Sequence, residues 1–232
     1  MGKIIEKLAL DKGHTVVFKC TSEFSEGNLE EADVAIEFSS PEAAFKNISK
    51  VLDAGIPIVS GTTGWLEKYD EVVNLCERRN GSFIYASNFS VGVNLFFSIN
   101  EYAAKLMAQW KEYNVSIEEI HHLEKKDAPS GTAITIADGI LKYSDKEIWK
   151  LDASDLTAGA EEKILNITAK REEDVKGTHI VSYDSEIDTI SFKHEAHNRE
   201  GFAKGAILAA EWLKDKKGVF TMKDVLGLKI KA

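Results

Sequence analysis

Several features that define special classes of protein are scarce in this sequence. Its 232 residues include only two cysteines and three prolines, and 38 acidic residues outnumber 29 lysines and arginines, giving a formal net charge of -9. That charge opposes association with nucleic acid or with an anionic membrane. Cys20 and Cys76 lie far apart and fit no metal-binding spacing, so we expect free thiols in a reducing compartment. Because of the net negative charge, neither nucleic acid nor a membrane is an expected partner.

Long apolar runs are also lacking. Lys3, Glu6 and Lys7 interrupt the apolar positions of the N-terminal segment, which argues against a signal peptide, and no run of about 18 apolar residues occurs anywhere. The sequence therefore predicts a cytoplasmic protein. Because 44% of its residues are hydrophobic, a chain of this length can bury a sizeable core in one large domain or two small ones.

The first ninety residues alternate amphipathic helices with short apolar strands. The predicted elements are a helix that ends at Gly13, a strand at 15–18, a strand at 33–38, a helix at 41–55, a strand at 56–60, a helix at 66–79 and a strand at 82–86. Continuously apolar strands separated by helices are typical of a parallel sheet covered on both faces. We therefore predict an α/β fold with a doubly wound, Rossmann-like parallel sheet.

The pattern changes after residue 90. The predicted elements are a helix at 94–110, a strand at 114–122, a helix at 132–141, three strands at 163–170, 178–183 and 188–196, and a final helix at 199–212. A polar turn at 184–187 favours an antiparallel hairpin between the last two strands. This order indicates a central α+β domain on a mixed or antiparallel sheet, with the final helix packing back on the first domain.

Two loops follow neighbouring apolar strands of the first domain. The segments SGTTG (60–64) and ASNFSVG (86–92) stand where ligands bind at the carboxyl ends of parallel strands, and their small residues let backbone amides approach closely. Side by side, the two loops would hold the nicotinamide half of a dinucleotide. The alternative is that SGTTG is only a glycine-rich turn.

The segment HHLEKKDAPSGTA (121–133) concentrates ionisable residues just before a predicted helix. His121 and His122 point to opposite faces if the strand persists to its end. The unsatisfied N–H groups at the start of the following helix favour a bound carboxylate or phosphate, and a basic side chain beside them would complete an anion cradle.

Each of these residues also has a structural interpretation. Ser130 is suited to cap the helix, Lys125 and Lys126 to be solvated, and a histidine at a strand end to be structural. Metal binding is disfavoured because the adjacent lysines repel a cation and no third ligand is evident. We therefore expect no metal at this site.

The same segment carries a resemblance to a known family. EIHHLEKKDAPSGTA (119–133) resembles the signature of the 4-hydroxy-tetrahydrodipicolinate reductases, enzymes of the diaminopimelate route to lysine. Five further segments follow in the family's order: AIEFSSPEA, VSGTTGW, ASNFSVGVNL, KHEAHNREGFAKGA and FTMKDVLGL. The resemblance implies reduction of 4-hydroxy-tetrahydrodipicolinate to tetrahydrodipicolinate with NADH or NADPH, and a homotetramer formed through the sheet of the central domain.

The resemblance also implies site residues. His121 corresponds to an acid/base histidine and Lys125 to a proton donor. The substrate-binding candidates are His122, Ser130, Gly131 and Thr132. The cofactor-binding candidates are Gly2, Gly61, Thr62, Thr63, Ala86, Ser87, Asn88 and Phe89.

Two departures from the family pattern, and a mixed signal at the ribose site, affect these expectations. The family has a strand and a G-x-G-x-M-G-K loop where this chain begins MGK, so we expect a functional product about ten residues longer, since the sheet needs its first strand. The alternative is a truncated, non-catalytic remnant that acts only as a binding or structural protein.

The segment 171–179 lacks the glycine that often follows its arginine in the family, which puts that turn in doubt. Lys19, Thr21, Ser22 and Glu23 give a mixed signal for the ribose site, which predicts use of both NADH and NADPH.

The predicted organisation is two domains. Residues 1–90 with 200–232 would form the dinucleotide-binding domain, and residues 91–199 the domain for substrate binding and oligomerisation.

Overall fold

The computed structural model describes residues 1–152 and 163–228. In chain order the helices and strands are α1 (Gly2–Asp11), β1 (Phe18–Cys20), β2 (Ser25–Gly27), β3 (Ala35–Glu37), α2 (Pro41–Asp53), β4 (Ile58–Ser60), α3 (Tyr69–Arg78), β5 (Ser82–Tyr85), α4 (Val91–Met107), β6 (Asn114–His121), α5 (Gly131–Leu141), β7 (Ile148–Leu151), β8 (Ile164–Arg171), β9 (Thr178–Asp184), β10 (Thr189–Glu195), α6 (Glu200–Leu213), β11 (Gly218–Phe220) and α7 (Met222–Val225). They divide into two compact units, one formed by Met1–Asn94 with the described residues from Glu200 onward, the other by Leu95–Arg199.

The first unit is built on a four-stranded parallel sheet in the order β11-β5-β4-β3. Successive residues of its strands face opposite sides. Ile58 and Phe83 pack with α2 and α3, whereas Val59 and Ile84 pack with α1 and α6. Both faces are therefore covered, which confirms the prediction of a doubly wound α/β sheet. Burying each of these side chains contributes ~1.5–3 kcal/mol to the stability of the fold, so packing on both faces stabilises the sheet.

The segment expected to form a strand at 15–18 differs from the prediction. The strand β1 lies at Phe18–Cys20 and pairs antiparallel with β2 in a separate two-stranded sheet. A connection of four residues is too short for the crossover that parallel strands need, so the chain turns back as a hairpin. Gly27 ends this hairpin at φ +88°, and an added Cβ there would lie 2.0 Å from the carbonyl oxygen of Val17.

The second unit contains a five-stranded mixed sheet in the order β10-β9-β6-β8-β7. The pairs β6–β8 and β7–β8 are parallel, and β6–β9 and β9–β10 are antiparallel. The predicted hairpin is confirmed, with Asp184 opposite Thr189. Residues of α4 and α5 cover one face and form a core that includes Phe96, Ile136 and Ile140.

Burial alternates along β6, the central strand of this sheet. Val115, Ile117, Glu119 and His121 are buried on the helix-covered side, and the residues between them are partly exposed. The ionisable side chains of Glu119 and His121 thus lie on the same buried face of β6 as the apolar core residues. In the part of the chain that the structure describes, no helix combines the length and apolar character needed to cross a bilayer.

Candidate active site

The loop after β4 borders a pocket in the first unit. The pocket has a volume of about 260 Å³ and is lined by Met1, Phe38, Ser39, Pro41, Gly61, Thr62 and Thr63. Gly61 must be small here, because a Cβ would lie 2.2 Å from the ring of Phe38. The structure therefore brings Gly61, Thr62 and Thr63 to one opening at the carboxyl end of the sheet, where open α/β folds bind ligands.

A buried carboxylate holds this loop in place. Glu37, at the end of β3, accepts hydrogen bonds from the hydroxyls of Ser39, Ser60 (2.7 Å) and Thr62 (3.0 Å). The indole of Trp65 donates to the carbonyl of Thr62 at 2.7 Å. Buried polar networks of this kind rigidify a structure when every member is paired. Sequence reasoning did not identify Glu37, because the run DVAIEF was interpreted only as an apolar strand.

The loop after β5 is also internally hydrogen-bonded. The side-chain oxygen of Asn88 accepts from the backbone N–H of Ser90 at 2.9 Å, and Asn94 donates to the carbonyl of Asn88 at 2.9 Å. The ring of Phe89 is 1% exposed and packs in the core against Phe38, at 5.9 Å between centroids. The ring of Phe89 is therefore not accessible to a ligand, and a cofactor contact at this position would have to be made by the backbone.

The remaining cofactor candidates stand at more open positions. Ala86 and Ser87 are partly exposed at the end of β5, and Thr63 is exposed. Gly2 lies in the first turn of α1, where an added Cβ would meet nothing within 4 Å. None of Gly2, Ala86, Ser87, Asn88 and Phe89 is among the residues that line the pocket beside Gly61.

In the second unit, His121 belongs to a buried polar cluster that strand register assembles. Glu119 on β6 is directly opposite His179 on β9, and His121 is directly opposite Arg171 on β8. The Nδ1 atom of His121 lies 3.6 Å from the Glu119 carboxylate, and the Nε2 atom of His179 lies 3.7 Å from it. An Arg171 nitrogen lies 3.5 Å from the same carboxylate, which supplies a counter-charge.

Burial controls the protonation of the two histidines. Burial, reinforced by the positive charges of Lys125 and Arg171, lowers the pKa of His121 from 6.5 to about 4. Burial and the neighbouring His121 lower the pKa of His179 to about 3. Removing a charged imidazole from water is costly, so both rings are neutral at pH 7.

The loop that follows β6 carries Lys125 and is clamped by Arg171. The ammonium nitrogen of Lys125 lies 2.8 Å from each carboxylate oxygen of Asp127. Burial acts to raise the pKa of Asp127, but the hydrogen bond and charge of Lys125 outweigh it and hold that pKa below its usual value. Arg171 donates to the carbonyls of Lys125 (3.3 Å) and Asp127 (2.7 Å), which fixes the course of the loop.

The loop ends at the N-terminus of α5. Ser130 is the N-cap, and its buried hydroxyl accepts from the backbone N–H of Ala133 at 3.1 Å. Its own backbone N–H donates to both oxygens of Glu119 at 3.1 Å. The capping interpretation of Ser130 is thus confirmed. An added Cβ at Gly131 would meet nothing within 4 Å, so the helix tip is open at that position.

His122 has separate surroundings from His121. It is half-buried, and its Nε2 atom lies 3.1 Å from a guanidinium nitrogen of Arg199. The prediction that the two histidines do not share one role is consistent with this difference in burial and partners.

No third metal ligand was evident from the sequence, but the structure brings one close to His121. Glu119, His121 and His179 each offer a ligand atom, and these atoms lie within 4.8 Å of one another. Arg171 already lies beside the carboxylate, and its charge and that of Lys125 act against a cation there. The arrangement is better suited to orienting a neutral imidazole than to binding a metal.

Sequence reasoning missed Glu119, Arg171, His179 and Arg199. A signal for Glu119 was present, because alternation along NVSIEEIHH places it on the same face as His121 and the buried apolar residues. Arg171 and His179 lie 50 or more residues away in the chain and reach the site only through strand pairing.

Comparisons with known proteins agree on a family. Residues 2–89 match the family model described as "Dihydrodipicolinate reductase, N-terminus", and residues 92–226 match "Dihydrodipicolinate reductase, C-terminus". A 4-hydroxy-tetrahydrodipicolinate reductase of Christiangramia forsetii is 51% identical over 97% of this chain and 93% of its own length. One of Archaeoglobus fulgidus is 38% identical over 84% of this chain and 76% of its own length.

A solved structure supports the fold. The dipicolinate-bound dihydrodipicolinate reductase from Paenisporosarcina sp. TG-14 superposes with a TM-score of 0.64 at 24% identity, covering 82% of this chain and 72% of that one.

Proposed function

The chain belongs to the dihydrodipicolinate reductase family, and we propose that His121, Lys125 and the N-terminus of α5 form the substrate site of its reaction. The family reaction is the reduction of 4-hydroxy-tetrahydrodipicolinate to tetrahydrodipicolinate with NADH or NADPH, in diaminopimelate and lysine biosynthesis. Because relatives with this activity match nearly the whole chain, the reductase interpretation is favoured over a non-catalytic remnant.

The proposal depends mainly on one observation, the shared anchoring of the Lys125 loop and the α5 tip. Glu119 holds the backbone of Ser130, and Arg171 connects Glu119 to the carbonyls of Lys125 and Asp127. A helix N-terminus attracts carboxylates, and the substrate is a dicarboxylate. We assign Gly131 and Thr132 to one substrate carboxylate, with His122 and Ser130 at the edge of the site.

The two catalytic candidates have different protonation states at neutral pH. Lys125 is a cation paired with the mostly exposed Asp127, so it can donate a proton once a substrate displaces that partner. His121 is neutral because its pKa is about 4, so it can accept a proton or a hydrogen bond. Lys125 is therefore the acid in our proposal, and His121 the group that accepts or holds charge.

The first unit has features that fit a dinucleotide. Close approach of the backbone at Gly61, the exposed hydroxyl of Thr63, and the pocket that these residues line with Thr62 suit a nucleotide, which supports the assignment of Met1–Asn94 with the α6 segment to cofactor binding. When bound, NADH or NADPH supplies the hydride. We assign the cofactor contacts to Gly2, Gly61, Thr62, Thr63, Ala86, Ser87, Asn88 and the backbone of Phe89.

Use of both cofactors is also proposed. Lys19 would favour the 2′-phosphate of NADPH, but its ammonium group lies 3.0 Å from Glu6 and 3.9 Å from Glu26. These carboxylates offset the charge, so catalytic efficiencies with the two cofactors should differ by less than ~100-fold.

We further propose a cytoplasmic homotetramer. The face of the five-stranded sheet opposite α4 and α5 carries Ile120 and Ile180 among hydroxyl and charged side chains, and Ser182 and Ser191 hydrogen-bond there at 3.0 Å. A second copy would bury these apolar groups. Sedimentation equilibrium should give four times the chain mass, and Ile180→Arg should reduce it, whereas Lys193→Arg on the same face should not.

The test of the function is an assay of the purified chain with 4-hydroxy-tetrahydrodipicolinate generated in situ. Oxidation of NADH, followed at 340 nm and dependent on this substrate, is the expected result. Cofactor binding without turnover, or no binding at all, would contradict the proposal.

A further inference from the structure

We propose that Glu119 is a positioning residue that fixes the tautomer of His121, holding the ring proton on Nδ1 and leaving Nε2 as the acceptor. This inference deepens the proposed function, on which the role of His121 rests. Glu119 binds the backbone of Ser130 at the start of α5 and lies beside Arg171, which binds the Lys125 loop. The inference gives this buried carboxylate a further role.

The first support is the way the carboxylate is held. Glu119 is fully buried, and both of its oxygens accept the backbone N–H of Ser130 at 3.1 Å. Arg171 lies 3.5 Å away on β8 and provides the opposite charge. A buried charge that is paired and hydrogen-bonded in this way has a fixed position and direction. Glu119 thus presents a fixed negative charge to the imidazole of His121.

The second support is the environment of the Nδ1 atom of His121. This nitrogen is buried, and among the described residues it has no hydrogen-bond partner. A Glu119 oxygen lies 3.6 Å from it, which is beyond hydrogen-bond length. A lone pair on Nδ1 would face a negative charge, whereas an N–H there would be attracted to it. The field of Glu119 therefore selects the Nδ1–H tautomer of the neutral ring.

The other ring nitrogen faces a different neighbour. An added Cβ at Gly177 would lie 3.3 Å from Nε2, so the glycine leaves space on that side of the ring. With the proton held on Nδ1, Nε2 carries the lone pair and can accept a hydrogen bond or a proton there. A carboxylate that orients a histidine from behind is a recurrent arrangement in acid–base catalysis.

The other groups around the ring do not compete for this task. His179 on β9 packs edge-on against His121 at 5.1 Å between centroids, and its own Nε2 lies 3.2 Å from the Ser130 hydroxyl. Lys125, Asp127 and His122 on the following loop, with Arg171, set the charge around His121. Of these groups, Glu119 is the one whose carboxylate lies beside Nδ1, at 3.6 Å.

The test measures the tautomer directly in the protein labelled with 15N-histidine. At pH 7 we expect the Nδ1 of His121 to have the chemical shift of a protonated nitrogen and Nε2 that of an unprotonated one. In Glu119→Gln, the amide can donate to Nδ1, so the proton should move to Nε2 and kcat should fall by ~10² or more, with the Kd for NADH unchanged. Glu119→Asp keeps the charge and should retain the wild-type tautomer.

The outcomes separate this inference from the proposed function. An Nε2–H tautomer in the wild type, or an unchanged tautomer and kcat in Glu119→Gln, would overturn the role of Glu119. If Glu119→Gln does not fold, the wild-type spectrum and Glu119→Asp still decide. A wild-type protein that shows the Nδ1–H tautomer but no turnover would instead count against the proposed reaction.

Discussion

The ammonium group of Lys125 is held by both carboxylate oxygens of Asp127, each at 2.8 Å. The lysine side chain is 20% exposed and that of Asp127 is 61% exposed, so the pair lies at the boundary between the buried cluster and solvent. Such partly exposed pairs contribute ~0–1 kcal/mol to stability. An incoming substrate carboxylate can therefore replace Asp127 at little cost.

Removing this ammonium group tests its role in catalysis. Lys125→Ala should lower kcat by ~10² to 10⁴, because a positioned proton donor is lost, while the Kd for NADH stays the same. The matched control is Lys126→Ala, which removes the adjacent, exposed lysine and should leave kcat within about twofold. Steady-state kinetics and fluorescence titration with NADH measure both quantities. Near-normal turnover of Lys125→Ala would remove Lys125 from the chemistry.

Two glycine substitutions separate the proposed cofactor and substrate sites. In Gly61→Ala the new methyl group would lie 2.2 Å from the Phe38 ring, so the loop or the ring must shift and the pocket that both line must change; NADH should bind at least ~10-fold more weakly. In Gly131→Ala the methyl group meets no protein atom within 4 Å, so the fold should be unaffected and only the substrate KM should rise. Parallel changes in NADH affinity for both variants would argue against two separate sites.

The buried histidines predict how stability depends on pH. The folded-state pKa values of about 4 for His121 and about 3 for His179 lie below the ordinary 6.5, so the unfolded chain binds more protons between these values. Stability should therefore fall as the pH drops below 6.5, by at most ~1.4 kcal/mol per pH unit for each histidine. Urea unfolding of the wild type and His179→Gln from pH 7 to 5 measures this contribution. Equal slopes for the two proteins would be inconsistent with a buried, neutral His179.

Gly205 allows α6 to pack closely against the backbone of Phe89. A Cβ at Gly205 would lie 1.8 Å from the carbonyl oxygen of Phe89, whereas one at Gly201 would lie 3.4 Å from the Ser90 hydroxyl. Gly205→Ala should lower the free energy of unfolding by ~1–3 kcal/mol or more through overpacking. Gly201→Ala in the same helix gains up to ~1 kcal/mol of helix propensity and serves as the control. Thermal unfolding that ranks the variants the other way would contradict the close contact at Gly205.

The sequence was most informative where its hydrophobic periodicity was long or continuous. The strands at Ile58–Ser60 and Ser82–Tyr85 and the hairpin of β9 and β10 follow from apolar runs and turn residues. The strands β2, β7 and β11 contain no buried residue, so they lack the continuous apolar run that identified equally short strands such as Ile58–Ser60. β1 lies three residues beyond its predicted start and pairs in a different sheet, because pairing depends on the connection as well as on composition.

The part of the candidate site that lies in one local segment was predictable from the sequence. His121, Lys125 and Ser130 lie within one short segment, so their proximity could be read directly. The register that sets Glu119 opposite His179 joins residues 60 positions apart, and no local pattern encodes it. The two histidines are neutral because they are buried in this cluster, so their protonation states could not be predicted from the sequence either.

The central claim is that the α5 tip and Lys125 hold a dicarboxylate. A crystal structure with pyridine-2,6-dicarboxylate tests it most directly. We predict one carboxylate within hydrogen-bond distance of the backbone N–H groups of Gly131 and Thr132, with the Lys125 ammonium group and His121 beside the ring. A ligand bound away from these residues in a well-ordered crystal would contradict the account.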